Sequence, residues 1–351
     1  MRQVLKGCRL AVLAGMAAVG LLLLPLGAHA ADQIVFKVGY LGPADVNINY
    51  EHAMGFAFKS ALEARTDGKI KVELYPGGTL GSQEEMFEMT RKNAIQAVLP
   101  SEGVIGRWFP EIQAFGIPFL YSSLPVAWAV QDGPLGLELK GRILEKTGLR
   151  TIGISDVGGP NVFATNKRPI RSAADLKGLK IRTMAHEGHI ATIKALGAAA
   201  TPMPFAEVYT SLQTGVIDGH FNPVSAMITF RMYEVQKFLS LTGHLYGAMY
   251  LLMNDKAFQG LSPEFQEAVL ISGRQAAVAA RGVNRILEAN GLETLKTKGM
   301  TLVTPTAGAI KEMKTMAQPP VIKTLKEKFG AAWVDKILAA VEDGEKRVLA
   351  K

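Results

Sequence analysis

Arg182 lies in the segment 178–184, which reads GLKIRTM. Leu179 and Ile181 alternate there with Lys180 and Arg182, and this period of two predicts a half-buried β-strand. The arginine guanidinium stays charged and offers a fork of parallel N–H donors that matches a carboxylate, which lysine cannot do. Because strand ends in α/β proteins often border a cleft, an anion-binding role fits Arg182. A surface ion pair on an edge strand explains the same residues, and the pattern alone leaves both interpretations open.

Other groups of reactive side chains depart from known enzyme motifs. His186 and His189 are three residues apart with Gly188 between them, whereas the zinc-protease pattern places its histidines at i and i+4. The segment 153–158 is one residue too long for a nucleophile elbow, and the turn 77–82 lacks the lysine of a phosphate loop. No GxGxxG is present. The sequence therefore predicts no metal site, no cofactor and no catalytic residue.

The order of the predicted elements is that of an α/β protein. Alternating strands and helices in the first 100 residues of the chain predict a mainly parallel sheet covered by helices, and the pattern restarts near residue 150. In the second unit, helices are predicted over 188–196, 204–215 and 228–239. A long helix is predicted from Ser262 to about Lys298, and about 36 residues at 1.5 Å each would cross both units. Two consecutive units predict two lobes with a cleft between them.

The first thirty residues predict a signal peptide. Arg2, Lys6 and Arg9 form a basic region, an apolar stretch follows, and Ala-His-Ala at 28–30 predicts cleavage before Ala31. An uncleaved membrane anchor is the alternative, but the apolar stretch is shorter than the ~20 residues of a spanning helix. The single cysteine, Cys8, falls within this leader, so we expect the mature chain to contain no thiol or disulfide.

The charge balance argues against a nucleic-acid partner. The chain of 351 residues has a formal charge of +8, and after the leader 36 basic and 31 acidic residues remain. The excess is scattered and never forms a run of five basic residues, whereas nucleic-acid binding requires a focused basic patch.

The segment 204–223, PFAEVYTSLQTGVIDGHFNP, following GLKIRTM, resembles the solute-binding proteins of tripartite ATP-independent periplasmic (TRAP) transporters, DctP-type. The segments KVGYLGP, GKIKVELYPGGTLGS, PEIQAFGIPFLY and YEVQKFLSLTGH extend the resemblance over nearly the whole mature chain. It implies a two-lobed periplasmic binding protein-like α/β fold, with a ligand cleft between lobes and a long bridging helix. On this basis we expect a signal peptide at 1–30, a first lobe at 31–156 plus 245–287, and a second lobe at 157–244 plus 288–351.

The resemblance also implies which residues bind the ligand. Arg182 is expected to bind a carboxylate, with Phe205 lining the pocket and Asn222 donating a polar contact. Many family members carry a second arginine where this chain has Asn161, so a monocarboxylate is expected rather than a dicarboxylate. Ser101, Tyr40 and Leu41 from the other lobe are matched by position only. Asn161 is also expected at the site, and His186 is expected to shape the distal end of the ligand pocket.

The function implied is a periplasmic receptor that captures an organic acid anion by an arginine–carboxylate salt bridge and hinge closure. Its expected partners are the small organic acid and the membrane subunits of a TRAP permease. Two alternatives stay open: a sensory subunit that signals to a membrane kinase, and an exported hydrolase or lyase using Glu207 or Asp218.

Overall fold

The computed structural model describes residues 33–349, so the predicted signal peptide lies outside the described residues. The strands are β1 (Ile34–Gly39), β2 (Ile70–Tyr75), β3 (Ala97–Val98), β4 (Leu149–Asp156), β5 (Asn161–Thr165), β6 (Lys180–Thr183), β7 (Ala199–Pro202), β8 (Gly219–Asn222), β9 (Phe238–Leu245), β10 (Ala248–Asn254) and β11 (Thr301–Val303). The α-helices are α1 (Tyr50–Arg65), α2 (Gln83–Arg91), α3 (Glu102–Ile105), α4 (Leu124–Gln131), α5 (Pro134–Thr147), α6 (Glu187–Ala195), α7 (Val208–Gln213), α8 (Val224–Thr229), α9 (Asp255–Gln259), α10 (Pro263–Thr297), α11 (Ala307–Phe329) and α12 (Ala331–Leu349). Short 3₁₀ helices occupy Pro110–Phe115, Ala173–Leu176, Phe205–Glu207 and Met232–Glu234.

The first sheet has five strands in the order β2-β1-β3-β10-β4. Strand β1 runs parallel to β2 and β3, while β10 runs antiparallel to β3 and β4. Ile70 and Val72 on β2 are 0% and 1% exposed, as the alternation of that strand predicts. Helices α1 and α10 cover one face of this sheet and share a core with it.

The second sheet has six strands in the order β11-β9-β5-β8-β6-β7. The GLKIRTM segment forms β6, which lies between β8 and β7 and runs parallel to both. Leu179 and Ile181 are buried in a core with Ile193 of α6. The strand prediction is confirmed, and the edge-strand interpretation of Arg182 is wrong because β6 has a neighbour on each side.

Helix α10 begins where the sequence predicts and joins the two halves of the molecule. Ser262 caps it by accepting a hydrogen bond from the N–H of Phe265, and Pro263 occupies the first turn. Its 35 residues pack against α1 and β4 near one end and against α8 and β11 near the other. The chain also crosses between the sheets at 157–160 and 246–247, between β4 and β5 and between β9 and β10.

Two glycines of α10 give a matched test of how closely the helix approaches the first sheet. A Cβ on Gly273 would lie 2.4 Å from the carbonyl oxygen of Ile152, whereas a Cβ on Gly282 would meet no atom within 4 Å. Gly273→Ala is expected to lower the free energy of unfolding by about 1–3 kcal/mol because the contacted atom belongs to the backbone. Gly282→Ala is expected to raise it by about 0.5–1 kcal/mol through helix propensity. Urea unfolding of both variants checks this, and a Gly273→Ala protein as stable as Gly282→Ala would contradict the packing.

The helix predicted over 228–239 is wrong. Helix α8 ends at Thr229, Arg231 adopts φ +53°, and the chain then turns into β9 from Phe238. A left-handed residue cannot continue an α-helix. Strand β9 pairs with both β5 and β11, so strand pairing overrides the helical spacing of the local sequence.

The two C-terminal helices pack on different parts of the chain. Helix α11 contacts α6, while α12 contacts α4. Trp333 of α12 is 6% exposed, lies in a core with Val126 of α4, and donates its indole N–H to the carbonyl of Glu111 at 2.9 Å. Among the described residues, none of the helices combines the length and the apolar character needed to cross a membrane.

Candidate functional site

A cavity of about 330 Å³ lies between segments of the two sheets and has the size of a small-molecule site. Six of the eight residues expected at the site line it: Leu41, Ser101, Asn161, Arg182, Phe205 and Asn222. Leu41 and Ser101 follow β1 and β3 of the first sheet, and the other four lie on or beside β5, β6, β7 and β8 of the second sheet. The fold therefore brings together residues that are far apart in sequence.

Arg182 is 4% exposed and lines this cavity. Its Nε and Nη2 donate to the carbonyl oxygen of Met203 at 3.1 and 2.8 Å, which fixes one edge of the guanidinium. Of its five N–H groups, the three others form no hydrogen bond with residues 33–349, and no carboxylate of this part of the chain is ion-paired with it. The positioned edge leaves the opposite edge available for an anion.

Burial lowers the pKa of Arg182 to about 10, and the negative charges of Glu84 and Glu207 act in the opposite direction. The guanidinium therefore remains protonated at neutral pH. A positive charge largely removed from water interacts with an anion more strongly than the same charge at the surface. The arrangement suits the binding of a carboxylate.

Phe205 forms an apolar wall beside this charge. The Cζ atom of Arg182 lies 5.6 Å from the centroid of its ring, and the ring packs edge-on against Phe230 at 4.7 Å. Phe205 follows Pro204 in a 3₁₀ turn directly after β7, so it reaches the end of the sheet where β6 also ends.

Two asparagines provide neutral polar groups on adjacent strands. Asn222 ends β8, and its Nδ2 donates to Nδ1 of His220 at 2.8 Å. Its partner across the ladder is Val162, so Asn161 at the start of β5 lies close by. Asn161 is 5% exposed and lines the cavity. Amides of this kind can both donate to and accept from a ligand.

The opposite wall carries Ser101, whose hydroxyl lies 3.4 Å from Oε1 of Gln83 and 3.7 Å from Sδ of Met184. Met184 follows β6, so this contact joins the two sides of the cavity. Leu41 adds a half-buried apolar side chain on the same wall.

Tyr40 and His186, the other two expected site residues, are not among the residues that line this cavity. Tyr40 is fully buried in the core of the first sheet, where its hydroxyl lies 2.5 Å from Nδ1 of His52. His186 is the N-cap of α6, with Nδ1 accepting from the N–H of His189 at 3.3 Å. Its ring is held against Gly116, where a Cβ would lie 2.3 Å from its Cε1. His189, stacked on His186 at 3.9 Å, lines the cavity instead.

Two buried carboxyl groups also line the cavity, and the sequence did not single them out. Glu51 in the first turn of α1 and Glu102 at the start of α3 are 1% and 5% exposed. Burial raises the pKa of each to about 7, although hydrogen bonds from the backbone oppose the rise. Spacing and residue type carried no signal for them, since a glutamate in a first helical turn is commonly a capping residue.

Chemistry other than binding has little support in this cavity. Within residues 33–349, no group of three or more histidine, cysteine, aspartate or glutamate side chains could hold a metal ion. Asp218, considered above for acid–base catalysis, is ion-paired with Lys167 at 2.8 Å and accepts the N–H of Lys180. Those contacts lower its pKa, and the residue is not among those that line the cavity.

Known proteins resemble this chain over most of its length. The 2,3-diketo-L-gulonate-binding periplasmic protein YiaO of Escherichia coli K12 is 34% identical over 282 residues, covering 78% of this chain and 85% of that protein. A TRAP periplasmic solute-binding protein from Polaromonas sp. JS666, bound to D-erythronate, superposes with a TM-score of 0.81 at 32% identity, covering 87% of this chain and 98% of that one. The sugar acid binding protein DctPAm from Advenella mimigardefordensis, in complex with galactonate, gives a TM-score of 0.83 at 27% identity, covering 88% and 98%.

These relatives are solute-binding receptors rather than enzymes, and the superpositions confirm the two-lobed α/β fold with the long helix α10. A family model described as bacterial extracellular solute-binding protein, family 7 (DctP), matches residues 46–328. The chain therefore belongs to this family, the periplasmic solute-binding proteins of TRAP transporters.

Proposed function

We propose that this protein captures an organic monocarboxylate in the periplasm through Arg182 and delivers it to the membrane subunits of a TRAP permease. The observation that carries the proposal is the state of Arg182: it is buried in the cavity, held by the carbonyl of Met203, and has no ion pair with a carboxylate of residues 33–349. A buried cation that lacks a counter-ion is costly, so an anionic ligand would stabilise the protein.

The single arginine supports a ligand with one carboxylate. Asn161 contributes a neutral amide to the cavity, and the exposed Arg107 is the other guanidinium among the lining residues. A second ligand carboxylate would have to give up its water without a buried cation to replace it. The ligand is therefore expected to carry one negative charge.

Hinge closure follows from the energetics of capture. Hydrogen bonds to charged groups contribute about 1.5–3 kcal/mol each, whereas micromolar affinity requires about 8 kcal/mol net. Closing the second lobe over the ligand, with Phe205 excluding water, would supply the rest of the binding free energy. The expected lobes, residues 31–156 plus 245–287 and residues 157–244 plus 288–351, are the starting point for the two moving bodies, and the signal peptide 1–30 is removed on export. The segment 111–130 shares a buried core with α11 and α12, so it is proposed to move with the second body.

A thermal-shift screen of organic acids tests this function. An acid present at about 100 times its Kd should add about 2.7 kcal/mol of stability, which corresponds to a rise in Tm of roughly 5 °C. The methyl ester of the best acid is the control, since it keeps the shape and loses the charge. A set of monocarboxylates that leaves Tm unchanged, or an ester that stabilises as well as its acid, would contradict the proposal.

A further inference from the structure

Glu51 and Glu102 place two buried carboxyl groups in a cavity that is proposed to receive an anion. Half-buried Glu84 lines the same cavity, so the walls carry three carboxyl groups against the guanidinium groups of Arg182 and Arg107. A site that only had to attract a carboxylate would gain nothing from them, because like charges repel most strongly where water is excluded. Because they line the cavity, both buried carboxyl groups can contact a ligand bound there.

Each of these carboxyl groups keeps acceptor capacity after its contacts with the protein are counted. Glu51 accepts from the N–H groups of Gly42 and Leu41, with a long 3.4 Å contact from Nε2 of Gln83. Glu102 accepts from the N–H of Ala248 at 2.8 Å, and within residues 33–349 no other residue donates to it. An ionised carboxylate offers about four lone-pair positions, so both groups can accept further hydrogen bonds.

We infer that Glu51 and Glu102 accept hydrogen bonds from hydroxyl groups of the ligand, so that the receptor selects polyhydroxylated monocarboxylates over unsubstituted ones. This inference rests on the proposed function, since it assumes that Arg182 binds the carboxylate end. A hydroxyl brings its own donor to each glutamate, and it offsets the desolvation of that carboxylate. An acid with a plain alkyl chain would leave both carboxylates buried without a donor.

The neutral lining favours several hydroxyls rather than one ligand cation. Gln83, Ser101, Asn161 and Asn222 line the same cavity, and amide and hydroxyl groups can both donate and accept. Gln83 and Ser101 lie on the first-sheet side of the cavity, and Asn161 and Asn222 lie on strands of the second sheet, so polar partners are distributed around the ligand. A single ammonium group would need only one of the two buried glutamates as its counter-ion.

The test uses pairs of acids with equal chain length at pH 8, where both glutamates are mostly ionised. D-Galactonate is compared with hexanoate and D-erythronate with butyrate by isothermal titration calorimetry. In the wild type, whichever hydroxylated acid binds more tightly is expected to bind at least about 100-fold more tightly than the unsubstituted acid of the same chain length. That difference is the equivalent of roughly two hydrogen bonds to charged groups. Equal affinities within a pair would overturn the inference.

Glu51→Gln and Glu102→Gln should separate hydroxyl recognition from a structural role. Each is expected to weaken the hydroxylated acid about 10-fold and to leave the unsubstituted acid unchanged or bound more tightly, since a negative charge has been removed. Glu84→Gln is the matched control, because it removes a charge from the same cavity and should tighten both acids by the same factor. A loss that is equal for both acids, or no loss, would overturn the inference.

Two further results distinguish the inference from the proposed function. Ectoine binding more tightly than every acid tested would show that the glutamates balance a ligand cation, and would overturn the hydroxyl assignment. Failure of every carboxylate to bind would overturn the proposed function and this inference together. Thermal unfolding at pH 8 controls for folding. Glu51→Gln and Glu102→Gln should melt no lower than the wild type, because each removes a buried charge.

Discussion

Arg182→Ala is expected to weaken binding of the best organic acid by at least about 100-fold. The variant removes two charge-assisted hydrogen bonds of about 1.5–3 kcal/mol each, and each 1.4 kcal/mol corresponds to a factor of about ten in Kd. The loss should be large because the guanidinium is only 4% exposed, so that water cannot replace it. Titration calorimetry at pH 7.5, where the ligand is ionised, measures the change.

Two controls identify what the arginine contributes. Arg182→Lys keeps the charge but loses the fork and the paired bonds to Met203, so its affinity should fall between those of the wild type and the alanine variant. Arg107→Ala removes an exposed charge from the cavity wall, and its effect should be below about tenfold since exposed charges are screened. An Arg182→Ala protein that is folded and binds within about threefold of the wild type would contradict the assignment.

Four buried histidines are expected to make the protein sensitive to acid. His186, His189, His220 and His244 are each at most 1% exposed. Burial lowers the pKa of His186, His220 and His244 to about 3, and that of His189 well below its ordinary value. Below pH 6.5 the unfolded chain therefore binds more protons than the folded chain. The contribution of each ring to the free energy of unfolding should therefore fall by about 2 kcal/mol when the pH is lowered from 7 to 5.

A single-histidine variant isolates this effect. The raised pKa values of Glu51 and Glu102 act in the opposite direction between about pH 4.5 and 7, because there the folded chain binds the extra protons. His244→Asn should therefore reduce the stability difference between pH 7 and pH 5 by about 2 kcal/mol. His52→Asn should change it less, since His52 is half-buried and its pKa is lowered by partial desolvation. Denaturant unfolding at both pH values measures the difference, and equal pH dependence in wild type and His244→Asn would contradict the buried neutral state.

The strands and the long helix could be predicted because local signals and burial agree there. Leu179 and Ile181 are buried as the alternation in GLKIRTM predicts, although the cavity also buries Arg182 on the other face, and Ser262 and Pro263 mark the start of α10. The segment 228–239 failed because its helical spacing competes with pairing to β5 and β11. The spacing of residues in this segment alone does not show that strand pairing will override it.

The candidate site, like the fold, could be predicted only where local signals agree with burial. Arg182, Phe205 and Asn222 line the cavity, and all three belong to a long motif whose resemblance covers both the strand and the following helix. Tyr40 was matched by position, and a shift of one residue decides whether a side chain faces the core or the cavity. Glu51 and Glu102 were not predicted to line the cavity, since their burial there is created by segments distant in sequence.

A crystal structure of the protein with its best acid would show which side chain holds the carboxylate. We expect the ligand carboxylate to lie about 2.7–2.9 Å from the guanidinium nitrogens of Arg182, while the carbonyl of Met203 still holds the opposite edge. A carboxylate bound at Arg107 or at a helix terminus, with Arg182 contacting only Met203, would contradict it.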